Sequence, residues 1–148
     1  MKRILFIVAA LIPLAGVAAY MNTASGQANK GTGDELAGKL TRREVQRSPL
    51  SIPNREIVQV ETLIPVGVES GWHIHPGEEV GYIIAGVVEM RVEGRTTVVL
   101  RPGDGFLIPP RTPHNAHDLG PETGRMLSTY IIEKGQPIAT FVKPPVQK

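Results

Sequence analysis

Cysteine is absent from the 148-residue chain. That absence excludes disulfides, Cys-ligated zinc, iron–sulfur clusters and thiol nucleophiles together. An excess of charge is missing too. Lys2 and Arg3 open an amino-terminal segment that reads as removable. Without them, 14 basic residues face 14 acidic ones. No basic stripe is left for a polyanion, so no nucleic-acid partner is expected. Aromatics are scarce at 5%, and no helical periodicity longer than two turns follows the first segment. What the chain does have is 16 Gly and 13 Pro beside 41% hydrophobic residues. That mixture suits short strands joined by tight turns, and it is too apolar for wholesale disorder. The length fits one domain.

Met1-Lys2-Arg3 is a short positive start. An apolar run from Ile4 to Ala19 follows, broken only by Pro13 and Gly16, and the chain turns polar at Asn22. This is the three-part layout of a secretory signal peptide. A membrane anchor needs about 20 apolar residues, slightly more than this run offers. Membrane contact is therefore expected only through this segment, if it stays uncleaved. Cleavage fits after Ala19 or after Ala28. The expected organisation is a signal over 1–28, a linker and arm over 29–50, a barrel over 51–140 and a Pro-rich tail over 141–148. Export of a cysteine-free chain points to a bacterial periplasm or exterior.

A short helical turn is expected near Asp34-Glu35-Leu36. Leu40 to Arg47 reads as an extended arm or an edge strand. Ser48-Pro49 and Ile52-Pro53 interrupt any helix there. From Ile57 the period becomes 2. Strands are predicted over Ile57–Ile64, Val80–Ala85, Val88–Val92, Thr96–Leu100, Phe106–Ile108 and Arg125–Glu133. Gly94 makes a hairpin of the third and fourth. Short, evenly spaced strands with turns between them predict an all-β sandwich or barrel.

The four histidines lie in two turn-rich segments. His73 and His75 are two apart, so on a strand both point to the same face. Glu79 follows across Pro76-Gly77, with Glu78 beside it as a competing carboxylate. Two imidazoles and a carboxylate on one face suit a divalent metal with open positions. His114 comes after a predicted hairpin that folds the chain back, and so is placed to deliver a third imidazole. Such ligands suit Fe, Mn, Ni, Zn or Cu without selecting among them.

These residues resemble the cupin superfamily. Gly67-x5-His73-x-His75-x3-Glu79-x6-Gly86 is similar to its first motif at every specified position. Gly103-x5-Pro109-x-Arg111-x2-His114-x3-Asp118 is similar to the second, with Arg111 where Gly is usual and Asp118 where Asn is usual. The resemblance implies a double-stranded antiparallel β-barrel, the jelly roll, with one divalent metal ion held inside by His73, His75, Glu79 and His114. It also implies a small-molecule ligand at the barrel mouth and a homodimer, for which the Leu40–Arg47 arm is the candidate.

Four further residues are candidates for contact with the metal ligands or the mouth: His117, Tyr82, Tyr130 and Arg111. Trp72 reads as packing. No residue is assigned a catalytic role, because no second carboxylate or Lys in the motifs is an obvious base. Two functions stay open. One is a metal-dependent oxygenase, isomerase or lyase acting on a small molecule. The other is a periplasmic module that binds or senses a small ligand or metal without turnover.

Overall fold

Alternation of buried and solvent-facing residues organises the barrel. The computed structural model describes residues 34–146. The apolar amino-terminal run, both cleavage positions and residues 29–33 of the expected linker lie outside the described residues. A four-residue 3₁₀ turn, Glu35–Gly38, comes first. Ten strands follow: β1 Thr41–Pro49, β2 Arg55–Ile64, β3 His73–Ile74, β4 Glu78–Ala85, β5 Val88–Val92, β6 Val98–Leu100, β7 Gly105–Ile108, β8 His114–Asp118, β9 Gly124–Glu133 and β10 Thr140–Phe141. They form two five-stranded antiparallel sheets, ordered β1-β2-β9-β4-β7 and β10-β3-β8-β5-β6. The architecture is the all-β barrel expected from strand spacing, in the jelly-roll form that the resemblance implies. Among the described residues no helix is long and apolar enough to cross a membrane.

The long strands β2 and β9 pair along their whole length, from Arg55↔Glu133 to Ile64↔Gly124. Val58, Val60, Thr62 and Ile64 of β2 face inward with Met126, Ser128, Tyr130 and Ile132 of β9. One apolar cluster gathers Ile64, Ile83, Val88, Met90, Ile108 and Met126. A second gathers Val58, Val60, Tyr130, Ile132 and Ile138. Burying one such Ile or Val contributes about 2 kcal/mol. A cavity walled by His73, His114 and Glu79 also draws on both clusters, with Met90 and Met126 from the first and Tyr130 from the second.

The Leu40–Arg47 arm is an edge strand of its own chain's barrel. It pairs with β2 from Thr41↔Leu63 to Pro49↔Glu56, with a bulge between Glu44 and Gln46. The arm offered as a dimer contact thus pairs with β2 of its own chain and forms one edge of its sheet. The turn near Asp34 forms as a 3₁₀ turn, and Asp34 Oδ1 accepts from the Leu36 amide at 3.2 Å. Two strands went unpredicted. His114–Asp118 is a strand, not a loop. Thr140–Phe141 pairs with β3 although it lies at the start of the Pro-rich tail.

Candidate metal centre

Register brings the ligand candidates together. His73 of β3 is paired directly with His114 of β8. Glu79 of β4 stands opposite Tyr130 of β9. In β4, Glu79 and Ile83 face inward while Glu78, Val80 and Tyr82 face out, so Glu79 and not Glu78 enters the barrel. His73, His75, His114 and Glu79 are each no more than 3% exposed. The three imidazoles offer nitrogen atoms that all lie within 4.8 Å of one another. Glu79 Oε2 lies 3.0 Å from His75 Nε2 and 3.4 Å from His114 Nε2.

Backbone carbonyls fix the rings. His73 Nδ1 lies 2.7 Å from Gly71 O, His75 Nδ1 2.6 Å from Ile138 O and His114 Nδ1 2.9 Å from Thr112 O. A carbonyl oxygen only accepts, so each Nδ1 carries the proton. In the neutral ring Nε2 is then a lone pair. Nε2 of His75 and of His114 are buried without a hydrogen-bond partner. Each instead turns that lone pair toward a carboxylate oxygen. Only a positive charge among these atoms makes the arrangement favourable. Carbonyl partners on the far ring nitrogen also orient ligating histidines in metal sites.

The electrostatics agree. Burial, then His114 and His75, holds His73 well below the ordinary imidazole range. Burial pushes Glu79 up, but the attraction of the His75 and His114 rings outweighs it and holds the carboxyl well below its ordinary range.

A second polar layer backs Glu79. Tyr130 Oη donates to Glu79 Oε1 at 3.0 Å. Arg42 Nη2 donates to Tyr130 Oη at 3.2 Å, Nη1 to Thr62 Oγ1 at 3.1 Å and Nε to Asp34 Oδ2 at 2.7 Å. Burial raises the Tyr130 phenol, so it stays a donor. Burial opposes charge on Arg42, but Tyr130 and Asp34 outweigh it and keep the guanidinium ionised. Arg42 escaped sequence reasoning, because Arg42-Arg43 in a charged arm reads as solvated surface. Ser70 and Asn115 escaped it as well. Asn115 Oδ1 accepts from Ser70 Oγ at 3.1 Å and from the Gly71 amide at 2.9 Å, which anchors the loop that delivers His73.

The other candidates lie elsewhere. Tyr130 lines the centre, whereas Tyr82 is 51% exposed on the outer face of β4 and is not a cavity residue. His117 falls on the opposite face of β8 from His114, where its Nδ1 lies 3.4 Å from Arg91 Nη2, so it is no part of the cluster. The Arg111 side chain is exposed. Its amide donates to His75 O at 2.8 Å, and its φ is 55°. The usual Gly at this position is therefore a conformational requirement that Arg111 meets with strain. Asp118 is buried, with Oδ1 accepting from the Gly120 amide at 2.8 Å and Oδ2 unpartnered.

A small cavity of about 10 Å³ adjoins these residues. Its walls include His73, His114, Glu79, Tyr130, Arg42 and Leu36.

Residues 59–130 match the family model described as "Cupin domain". No curated protein matches the chain. Solved structures do. The DMSP lyase DddQ from Ruegeria pomeroyi DSS-3 is 24% identical, with a TM-score of 0.54, over 62% of this chain and 45% of that one. A conserved protein with a double-stranded β-helix domain from Klebsiella pneumoniae is 21% identical, with a TM-score of 0.54, over 72% of this chain and 87% of that one. Oxalate decarboxylase from Bacillus subtilis is 21% identical, with a TM-score of 0.52, over 58% of this chain and 23% of that one. The match thus spans less than half the length of the lyase and the decarboxylase. Strand order, family match and neighbours agree: residues 59–130 form a cupin domain.

Proposed function

We propose that the protein is a metal-binding cupin that handles a small molecule at a centre held by His73, His75, His114 and Glu79. One observation carries this reading. Three buried imidazoles, each fixed at Nδ1 by a carbonyl, converge with a carboxylate and leave two Nε2 atoms without partners. Three nitrogens and one oxygen suit Fe, Mn, Ni, Zn or Cu. Such an ion, when bound, supplies a Lewis-acidic position for a small ligand.

The chain's own residues do the rest. Tyr130 holds a proton at Oη beside Glu79, and Arg42 fixes that phenol in place. Leu36, Leu40, Met90 and Met126 supply the apolar walls of the cavity. An oxygenase, isomerase or lyase reaction is the favoured use, supported by neighbours named as a DMSP lyase and an oxalate decarboxylase. A second reading, binding or sensing without turnover, is favoured by the size of the cavity, since about 10 Å³ holds roughly one water.

Elemental mass spectrometry on the full chain, purified without chelator or affinity nickel, tests the centre. About one equivalent of a single metal is expected, and none in a His73→Ala/His75→Ala variant. No metal after reconstitution would refute the centre. Export to the periplasm or exterior is part of the proposal and rests on the amino-terminal apolar run. The intact mass of protein from the periplasmic fraction should correspond to a chain starting at Tyr20 or Asn29.

A further inference from the structure

The ligand candidates are sealed. At no more than 3% exposure, none of the four is open to a molecule larger than water. Something must move before an organic ligand reaches them. Most of the cavity wall, His73, Glu79, His114 and Tyr130 included, lies within hydrogen-bonded ladders. Three lining residues do not: Leu36, Leu40 and Ser70. Ser70 is stitched down. Its amide donates to Ala116 O at 2.7 Å, its hydroxyl lies 3.1 Å from Asn115 Oδ1, and the Ala116 amide donates back to that hydroxyl at 2.9 Å.

Leu36 and Leu40 are held differently. They belong to the 3₁₀ turn and its exit, outside the matched residues 59–130. The turn's own backbone bonds are three: the Ala37 amide donates to Asp34 O at 3.1 Å, and the Lys39 and Leu40 amides donate to Leu36 O at 2.9 and 2.8 Å. Its ties to the barrel are side-chain and end contacts. Asp34 reaches Arg42, Glu35 accepts from the Phe141 amide, and the Glu35 amide donates to Ala139 O at 3.4 Å. Short 3₁₀ segments with poor hydrogen-bond geometry are among the least stable elements of a fold.

We propose that residues 34–40 are a cover over the imidazole cluster and that Leu36 and Leu40 set the size of what reaches it. With the cover shut, the cavity takes a water-sized ligand. A larger organic ligand enters when the turn lifts away from Arg42 and β10. This rests on the cluster being the functional site, but its test needs no metal.

Diethyl pyrocarbonate, which acylates accessible imidazoles, reads the cover on the metal-free full chain, with peptide mass spectrometry resolving each histidine. His117 is the internal standard, because its side chain is a quarter exposed on the outer face. In the wild type, His73, His75 and His114 should be labelled at least about tenfold more slowly than His117. Asp34→Ala removes the cap and the Arg42 tie but no wall of the cavity. Leu36→Gly removes a wall. Both should raise labelling of the three inner imidazoles about tenfold and leave His117 unchanged. Hydrogen exchange at Val58 and Val60 should match the wild type and so report an intact barrel. If Leu36→Gly loses that protection, Asp34→Ala decides alone. Inner labelling as fast as His117 in the wild type would overturn the cover. So would unchanged inner labelling in the folded variants. Metal stoichiometry, measured separately, decides the metal centre, so the two readings fail independently.

Discussion

Arg111 shows how one residue records a conformational demand. Its φ of 55° lies in the left-handed region, which an L side chain occupies at a cost of about 1–2 kcal/mol. The amide must stay where it is, because it holds His75 O. Glycine there would relieve the strain. It would also enlarge the unfolded ensemble, at a cost of about 0.5–1 kcal/mol. The balance favours the variant. Arg111→Gly should be about 0.5 kcal/mol more stable in urea unfolding, with metal uptake unchanged because the side chain faces solvent. Loss of stability would show that the exposed guanidinium does more than fill a turn. Gly77 poses the opposite demand. A Cβ there would stand 1.8 Å from Ile131 O, a backbone atom that cannot yield. The sequence marks Pro76-Gly77 as a turn. The reason for glycine is instead the close approach of β9, between His75 and Glu79.

At the scale of elements, β1 is the strand least like the rest. It is an edge strand, mostly exposed, and polar side chains fasten it to the barrel. Glu61 of β2 is the junction on the outer face. It accepts from Arg43 Nη2 at 2.7 Å and Nε at 3.0 Å, and it also accepts from Arg125 of β9. Hydrogen bonds from Arg43 and then Arg125 hold its carboxyl below the ordinary 4.5. A carboxyl depressed in the folded state contributes stability above its unfolded value, and loses it as pH falls below that value. Solvent screening limits the contribution to about 1 kcal/mol. Glu61→Gln should therefore be about 0.5–1 kcal/mol less stable than wild type near neutral pH, by thermal or urea unfolding. The gap should close as pH drops through and below 4.5. A gap that persists in acid would mean that packing, not charge, fastens β1. The element scale also shows why β8 was hard to read. His114-Asn115-Ala116-His117-Asp118 has no alternation of apolar residues, because its inward positions hold His114, a small Ala and Asp118. Polar residues at inward positions erased the pattern that marks a strand.

Across the whole molecule, chemistry was legible where spacing encodes it and hidden where tertiary contacts create it. The period of two in β2, β5 and β9 announced the barrel. The His-x-His pair and the return to His114 announced the cluster. Arg42 could not be read, since its burial depends on β1 folding back over the barrel to meet Tyr130 and Asp34. The outward turn of His117 follows from a strand register that the sequence did not reveal. The same topology makes the centre a staple. His73 and His114 belong to one sheet and Glu79 to the other. A cation bound among them ties the sheets together and binds only the folded state. Linkage then raises stability by RT ln(1 + [L]/Kd), about 2.7 kcal/mol at a hundredfold excess over Kd. For a domain of this size that is a rise in Tm of about 10 °C. Thermal unfolding with and without the metal found by elemental analysis should show it. His114→Ala should remove the metal-dependent rise, because it deletes a ligand from one sheet. Glu79→Gln keeps shape and removes charge, so it should shrink the rise by weakening affinity, and more metal should restore it. A Tm that ignores metal in the wild type would mean that the ion, if bound, sits somewhere other than between the sheets.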